Sequence, residues 1–122
     1  MYDHIGLKVK NVSASVRFYE AALAPLGLVV SGQNADGAGF GPPGAPALWL
    51  NKADAAGPGA HLAFRAATQD AVRAFHAAGL KAGGKDNGAA GPRPDYGPDY
   101  YAAFLIDPDG NNVEAVCMKA GG

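Results

Sequence analysis

Cysteine, tryptophan, methionine and glutamate are scarce in this chain: 122 residues hold one Cys, one Trp, two Met and two Glu. A single cysteine, Cys117, excludes an internal disulfide and fits a reducing compartment. It stands in the apolar run Val113-Glu114-Ala115-Val116-Cys117, where a thiol is expected to pack as a small, inert hydrophobe. Basic runs are also missing. Ten Lys and Arg residues are scattered from Lys8 to Lys119 against eleven acidic ones, for a net charge of −1. That balance gives no electrostatic reason to expect nucleic acid or a membrane surface as partner. No apolar stretch approaches the ~20 residues that span a bilayer. Met1 leads straight into a strand-like pattern, so no signal peptide is expected and the predicted location is cytoplasmic.

What is present is a globular composition, 48% hydrophobic with 18 Gly and 9 Pro, in a length that suits one domain over 1–122. Ile5 to Val9 alternates as a half-buried strand does. Asn11 and Ser13 are candidate N-caps, and Ser15 to Leu23 reads as a helix that Pro25 and Gly27 end. Leu28-Val29-Val30 opens a strand, a Gly/Pro-rich stretch over 37–46 contains turns, and Ala47 to Leu50 is a short strand. After Pro58 and Gly59 the pattern begins again. His61 to Arg65 is strand-like, and a helix capped by Thr68 or Asp70 runs to about Ala78 with Gly79 as its C′ residue. Residues 83–99 read as a long loop. Tyr101 to Ile106 and Val113 to Met118 are strands joined by a tight turn at Asp107-Pro108-Asp109-Gly110-Asn111.

This recurrence divides the chain into two modules, about 1–57 and 58–122. A shift of 57 residues carries His4 onto His61, Ile5 onto Leu62, Lys8 onto Arg65 and Phe18 onto Phe75. Near the ends of the modules the shift becomes 65, carrying Pro43 onto Pro108 and Trp49 onto Glu114. The eight extra residues match an insertion at Gly91–Pro98. Together with the repeated strand–helix–strands order, these matches indicate an internal repeat.

Three side chains stand out on this frame. His4 and His61 are equivalent under the repeat, and Glu114 lies in the last strand. Strand parity sets His4 opposite Ile5, Leu7 and Val9, and His61 opposite Leu62 and Phe64. If the large apolar residues face the helices, both histidines face the other side of the sheet. Two imidazoles and one carboxylate form a donor set that leaves open positions on Fe(II) or on catalytic zinc. An ion so held acts as a Lewis acid on a substrate oxygen. His76, on the second helix, is expected to be an ordinary hydrogen-bonded residue.

Asp3-His4-Ile5-Gly6-Leu7, Phe18-Tyr19 and the Phe104–Asn111 segment with Glu114 resemble the glyoxalase/bleomycin-resistance/dioxygenase (vicinal oxygen chelate) superfamily. The resemblance covers essentially the whole chain. It implies an α+β fold of two βαβββ modules forming an eight-stranded, cup-like mixed sheet around one divalent ion, whose usual ligands match His4, His61 and Glu114. It also implies a homodimer, with the ion held within one chain or shared between two. Fe, Mn, Zn, Ni and Co are not distinguished. In glyoxalase I proper a fourth ligand, commonly Glu, falls where this chain has Trp49, which puts lactoylglutathione lyase activity in doubt.

Candidate substrate contacts follow. Trp49 either stacks on a planar or apolar substrate or is a core aromatic. Tyr96, Tyr100 and Tyr101 either wall the site with phenolic donors or pack the long loop down. Arg65, on His61's face, either binds a substrate anion or is solvated. Two functions are therefore expected as alternatives: a metal-dependent enzyme of the lyase, isomerase or dioxygenase kind acting on a small oxygenated molecule, or a metal-free drug-binding protein of the bleomycin-resistance sort.

Overall fold

The computed structural model describes residues 1–119. Each half is a βαβββ unit. The first comprises β1 (Ile5–Val9), α1 (Val12–Leu23), β2 (Val29–Asn34), β3 (Gly37–Gly41) and β4 (Leu48–Lys52), with a 3₁₀ turn at Ala24–Leu26 after the helix. The second comprises β5 (His61–Arg65), α2 (Gln69–Lys81), β6 (Lys85–Pro92), β7 (Tyr101–Ile106) and β8 (Asn112–Cys117). The fold is α+β: two four-stranded mixed sheets of order β1-β4-β3-β2 and β5-β8-β7-β6. Among the described residues no strand pairing joins the two sheets, so the eight strands do not form one continuous ladder.

The register reproduces the repeat. In the first sheet β1 runs parallel to β4 with Ile5 on Leu48 and Gly6 on Trp49. In the second, β5 runs parallel to β8 with Leu62 on Val113 and Ala63 on Glu114. These pairs are related by the same shifts of 57 and 65 that the sequence carries.

Local chemistry explains the helices. The Asn11 side chain accepts from the Ala14 amide at 3.0 Å and caps α1, so this helix begins three residues before the expected Ser15. Thr68 caps α2 through the Ala71 amide, also at 3.0 Å, with Asp70 in the first turn and Lys81 in the last, as the helix dipole favours. Val12, Val16, Tyr19 and Leu23 recur at helical spacing on the buried face of α1; Val72, Phe75 and Gly79 do so on α2.

Two expectations are corrected and one is refined. The expected turn lies at 42–44, after a strand, β3, that takes up 37–41, and the expected 83–99 loop is strand β6 over 85–92 and a loop only from 93 onward. Gly79 is not a C′ residue but sits buried inside α2, which ends at Lys81. A Cβ there would run into Leu105 and press on Phe18 and Ala22. The missing side chain is what lets α2 approach both β7 and α1.

The helices and one turn lock the halves together. The Tyr19 hydroxyl on α1 donates to Asp107 Oδ2 at 2.5 Å. Asp107 also accepts from the Asp109 amide, the Asn111 amide and Asn111 Nδ2 at 2.8–2.9 Å. Asp109 in turn accepts from the Lys10 amide at 3.1 Å. Leu7, Val9, Leu50, Leu105, Val113 and Cys117 fill the core between sheets and helices. Cys117 is a free, buried thiol, as expected. No helix among the described residues is long and apolar enough to cross a membrane.

Candidate functional site

The faces turned away from the helices carry the chemistry. On β8, Glu114 is only 2% exposed. It alternates with Val113 and Ala115, which face the core, and shares its face with its register partners Ala63 and Phe104. His61, at the first position of β5, lies on this same face and brings Nε2 to 2.8 Å from Glu114 Oε1. The Tyr100 hydroxyl donates to the other oxygen, Oε2. A buried carboxylate thus has both oxygens satisfied by side chains. Burial first, and then the hydrogen bond and charge of Glu114, push the Tyr100 phenol up to about 12. Tyr96 packs edge-on against Tyr100, ring centroids 5.3 Å apart.

His4 lies one residue before β1, mostly exposed, with Nδ1 2.7 Å from Asp3 Oδ1. His4 and His61 both line one cavity of about 520 Å³ between the halves, walled beyond Tyr2 and Asp3 mainly by apolar side chains such as Leu23, Phe40, Leu62 and Phe64. Within a single chain, however, no three His, Cys, Asp or Glu side chains converge on one point among the described residues. The expected set is therefore brought together in part: His61 with Glu114, and His4 apart.

The other expected residues separate in the same way. Trp49 is 38% exposed on the open face of the first sheet, so it is not a core aromatic. One face of its indole covers Gly39, where an added Cβ would lie 2.5 Å from the ring. Arg65 is exposed on the His61 face. Tyr101 points the other way. Its hydroxyl accepts from Arg73 Nη1 of α2 at 2.8 Å, and the Arg73 guanidinium lies over its ring. Strand parity groups it with Ala103 and Leu105 rather than with Phe104 and Glu114, so it does not reach the His61–Glu114 pair. His76 hydrogen-bonds Asp86 at 2.9 Å, away from the site, as expected.

The His61–Glu114 spacing suits a metal ion. Two donors each about 2.1 Å from a common ion and at a right angle stand about 3 Å apart. The 2.8 Å separation observed needs little adjustment for an ion to replace the shared proton.

A fold of paired βαβββ units is that of the glyoxalase/bleomycin resistance/dioxygenase class. The model of the glyoxalase-like domain matches residues 4–116, and the chain belongs to that family. Its fold is similar to that of a glyoxalase/bleomycin resistance protein from Albidiferax ferrireducens T118, at 31% identity, with 98% of this chain and 99% of that one covered and a TM-score of 0.81. A glyoxalase/bleomycin resistance protein/dioxygenase family enzyme from Burkholderia phytofirmans PsJN, at 18% identity, covers 96% of this chain and 98% of its own with a TM-score of 0.74. A glyoxalase-related enzyme from Fulvimarina pelagi, at 19% identity, covers 93% and 84% with a TM-score of 0.72. The last two are likenesses of fold alone. No curated protein matches the sequence.

Proposed function

We propose that this protein is a divalent-metal-dependent enzyme of the vicinal-oxygen-chelate type, of the lyase, isomerase or dioxygenase kind, acting on a small oxygenated substrate. The observation that carries this reading is the 2.8 Å approach of His61 to a buried Glu114. His61 and Glu114 are two ligands of the ion, and His4 is the third. When bound, the ion supplies Lewis acidity to substrate oxygens. The chain's own residues do the rest: Trp49 offers an exposed indole face for a planar or apolar part of the substrate, Arg65 a cation for an anionic group, and Tyr96 an aromatic wall beside Tyr100. Metal analysis of protein purified without chelator tests the reading. About one equivalent per chain, lost in Glu114→Gln, is expected; less than about a tenth, unchanged by His4→Ala, ends it.

Because one chain gathers only two of the three donors, the homodimer implied by the family is proposed to supply His4 from a second copy. Mixing chains bearing His4→Ala with chains bearing Glu114→Gln tests this. Each variant alone lacks the ion, whereas the mixed dimer regains one complete site if the ligands are shared. No recovery, with tight binding by the wild-type monomer, places all three ligands in one chain.

A second reading, a metal-free binder of small apolar molecules, is favoured by the cavity that Leu23, Phe40, Leu62 and Phe64 line. Ligand affinity insensitive to chelator and to Glu114→Gln supports it; continuous turnover excludes it.

A further inference from the structure

The two halves differ most in the connection that follows their second strand. In the first half, β2 passes to β3 through two residues, 35–36; in the second, β6 passes to β7 through eight, 93–100. The longer loop is internally braced. The Arg93 amide donates to the Tyr100 carbonyl at 2.8 Å, the Tyr96 amide to Arg93 at 3.0 Å, and the Tyr100 amide to Gly97 at 3.3 Å. The Arg93 guanidinium is pinned to the Ala89 carbonyl at 2.7 Å and lies 5.4 Å from the centroid of Phe104. All this bracing ends in one contact, the Tyr100 hydroxyl on Glu114 Oε2. The first half has neither the loop nor a carboxylate, since Trp49 stands in the place of Glu114.

We infer that the 93–100 loop is a positioning device for Glu114, in which Tyr100 ties down Oε2 so that Oε1 alone faces the donor side of His61. The inference rests on the metal reading for what Oε1 meets, but not for the contact itself. A carboxylate on a flexible side chain can turn about its last bond and offer an ion one oxygen or both. With Oε2 occupied by a phenol, Glu114 is restricted to a single-oxygen ligand. Outer partners of this kind tune an ion's affinity by about 10–100-fold. Tyr100 thereby becomes a positioning residue rather than a substrate contact, and Tyr96, packed on its ring, holds the phenol in place.

The experiment compares wild type, Tyr100→Phe and Tyr101→Phe in two settings. In titrations with Co(II) alone, Tyr100→Phe is expected to bind about tenfold more weakly and to change the visible ligand-field spectrum as Glu114 takes a second oxygen to the ion. Tyr101→Phe, altered on the opposite face, leaves both unchanged. If wild type binds Co(II) and Tyr100→Phe gives the same affinity and spectrum, the inference is overturned. In metal-free protein, Tyr100→Phe is combined with Glu114→Met and melting temperatures are compared. A loss from Tyr100→Phe that disappears in the Glu114→Met background is expected, whereas additive effects overturn the inference. Failure of wild type to bind Co(II) removes the metal reading and leaves the positioning contact to be decided by the metal-free arm.

Discussion

Trp49 and Glu114 hold the same place in the two halves: Gly6 is registered on Trp49 as Ala63 is on Glu114. One position has become an aromatic plate and the other a buried acid. The plate rests on glycine, because a Cβ at residue 39 would enter the indole ring. Gly39→Ala is therefore expected to lift Trp49 from the sheet. Trp49 is the only tryptophan, so its emission reports this directly: a red shift with a modest loss of stability, about 1–3 kcal/mol. Unchanged emission contradicts the packing described.

The Asp107 turn is the clamp between the halves. Asp107→Ala removes the acceptor of four hydrogen bonds, one of them from Tyr19 in the other half. Each buried donor left unpaired costs about 1–3 kcal/mol, so a total loss of at least about 3 kcal/mol is expected by urea denaturation. Tyr19→Phe, which leaves Asp107 three donors, is expected to cost about 1 kcal/mol.

Alkaline pH tests the same contact. Burial, followed by the charge and hydrogen bond of Asp107, raises the Tyr19 phenol well above its ordinary 10.0. A group raised on folding contributes stability that is complete below its unfolded value and is lost as pH climbs past it. The stability difference between wild type and Tyr19→Phe is expected to be flat from neutrality to about pH 10 and to shrink above it. A difference that grows with alkalinity reverses the sign and contradicts the assignment.

Gly79→Ala sets two principles against each other. Alanine favours a helix over glycine by about 1 kcal/mol, but a Cβ at 79 meets Leu105, Phe18 and Ala22. Overpacking of this kind costs about 1–3 kcal/mol. Net destabilisation is expected in thermal melts; stabilisation shows that α2 has room to move outward.

Much of this architecture was legible in the residues. Alternation marks β1, apolar runs bounded by turn signals mark β5, β7 and β8, the caps at Asn11 and Thr68 are real, and the two shifts of the repeat reappear as strand register. β3 and β6 were not legible because their glycines imitate turn signals. In β3, Gly37 and Gly39 are there for close approach, to the Leu50 carbonyl and the Trp49 ring. In β6, Gly88, Gly91 and Pro92 are tolerated because the strand is at the sheet edge. Of the site, parity turned His4 and His61 away from the helices and the family resemblance added Glu114, but the Tyr100 contact depends on how an irregular loop closes. No periodicity records that. Tyr101 next to it carries an identical side chain to the opposite face, and only the point where β7 begins separates their roles.

The central claim is that His61 and Glu114 hold a divalent ion, and calorimetric titration of the metal-free protein with Zn(II) tests it most directly. About one ion per chain is predicted, with affinity reduced at least about tenfold by His61→Ala and by Glu114→Gln in variants that remain folded. Stoichiometric binding indifferent to both substitutions, or no binding by the wild type as a monomer or a dimer, contradicts it.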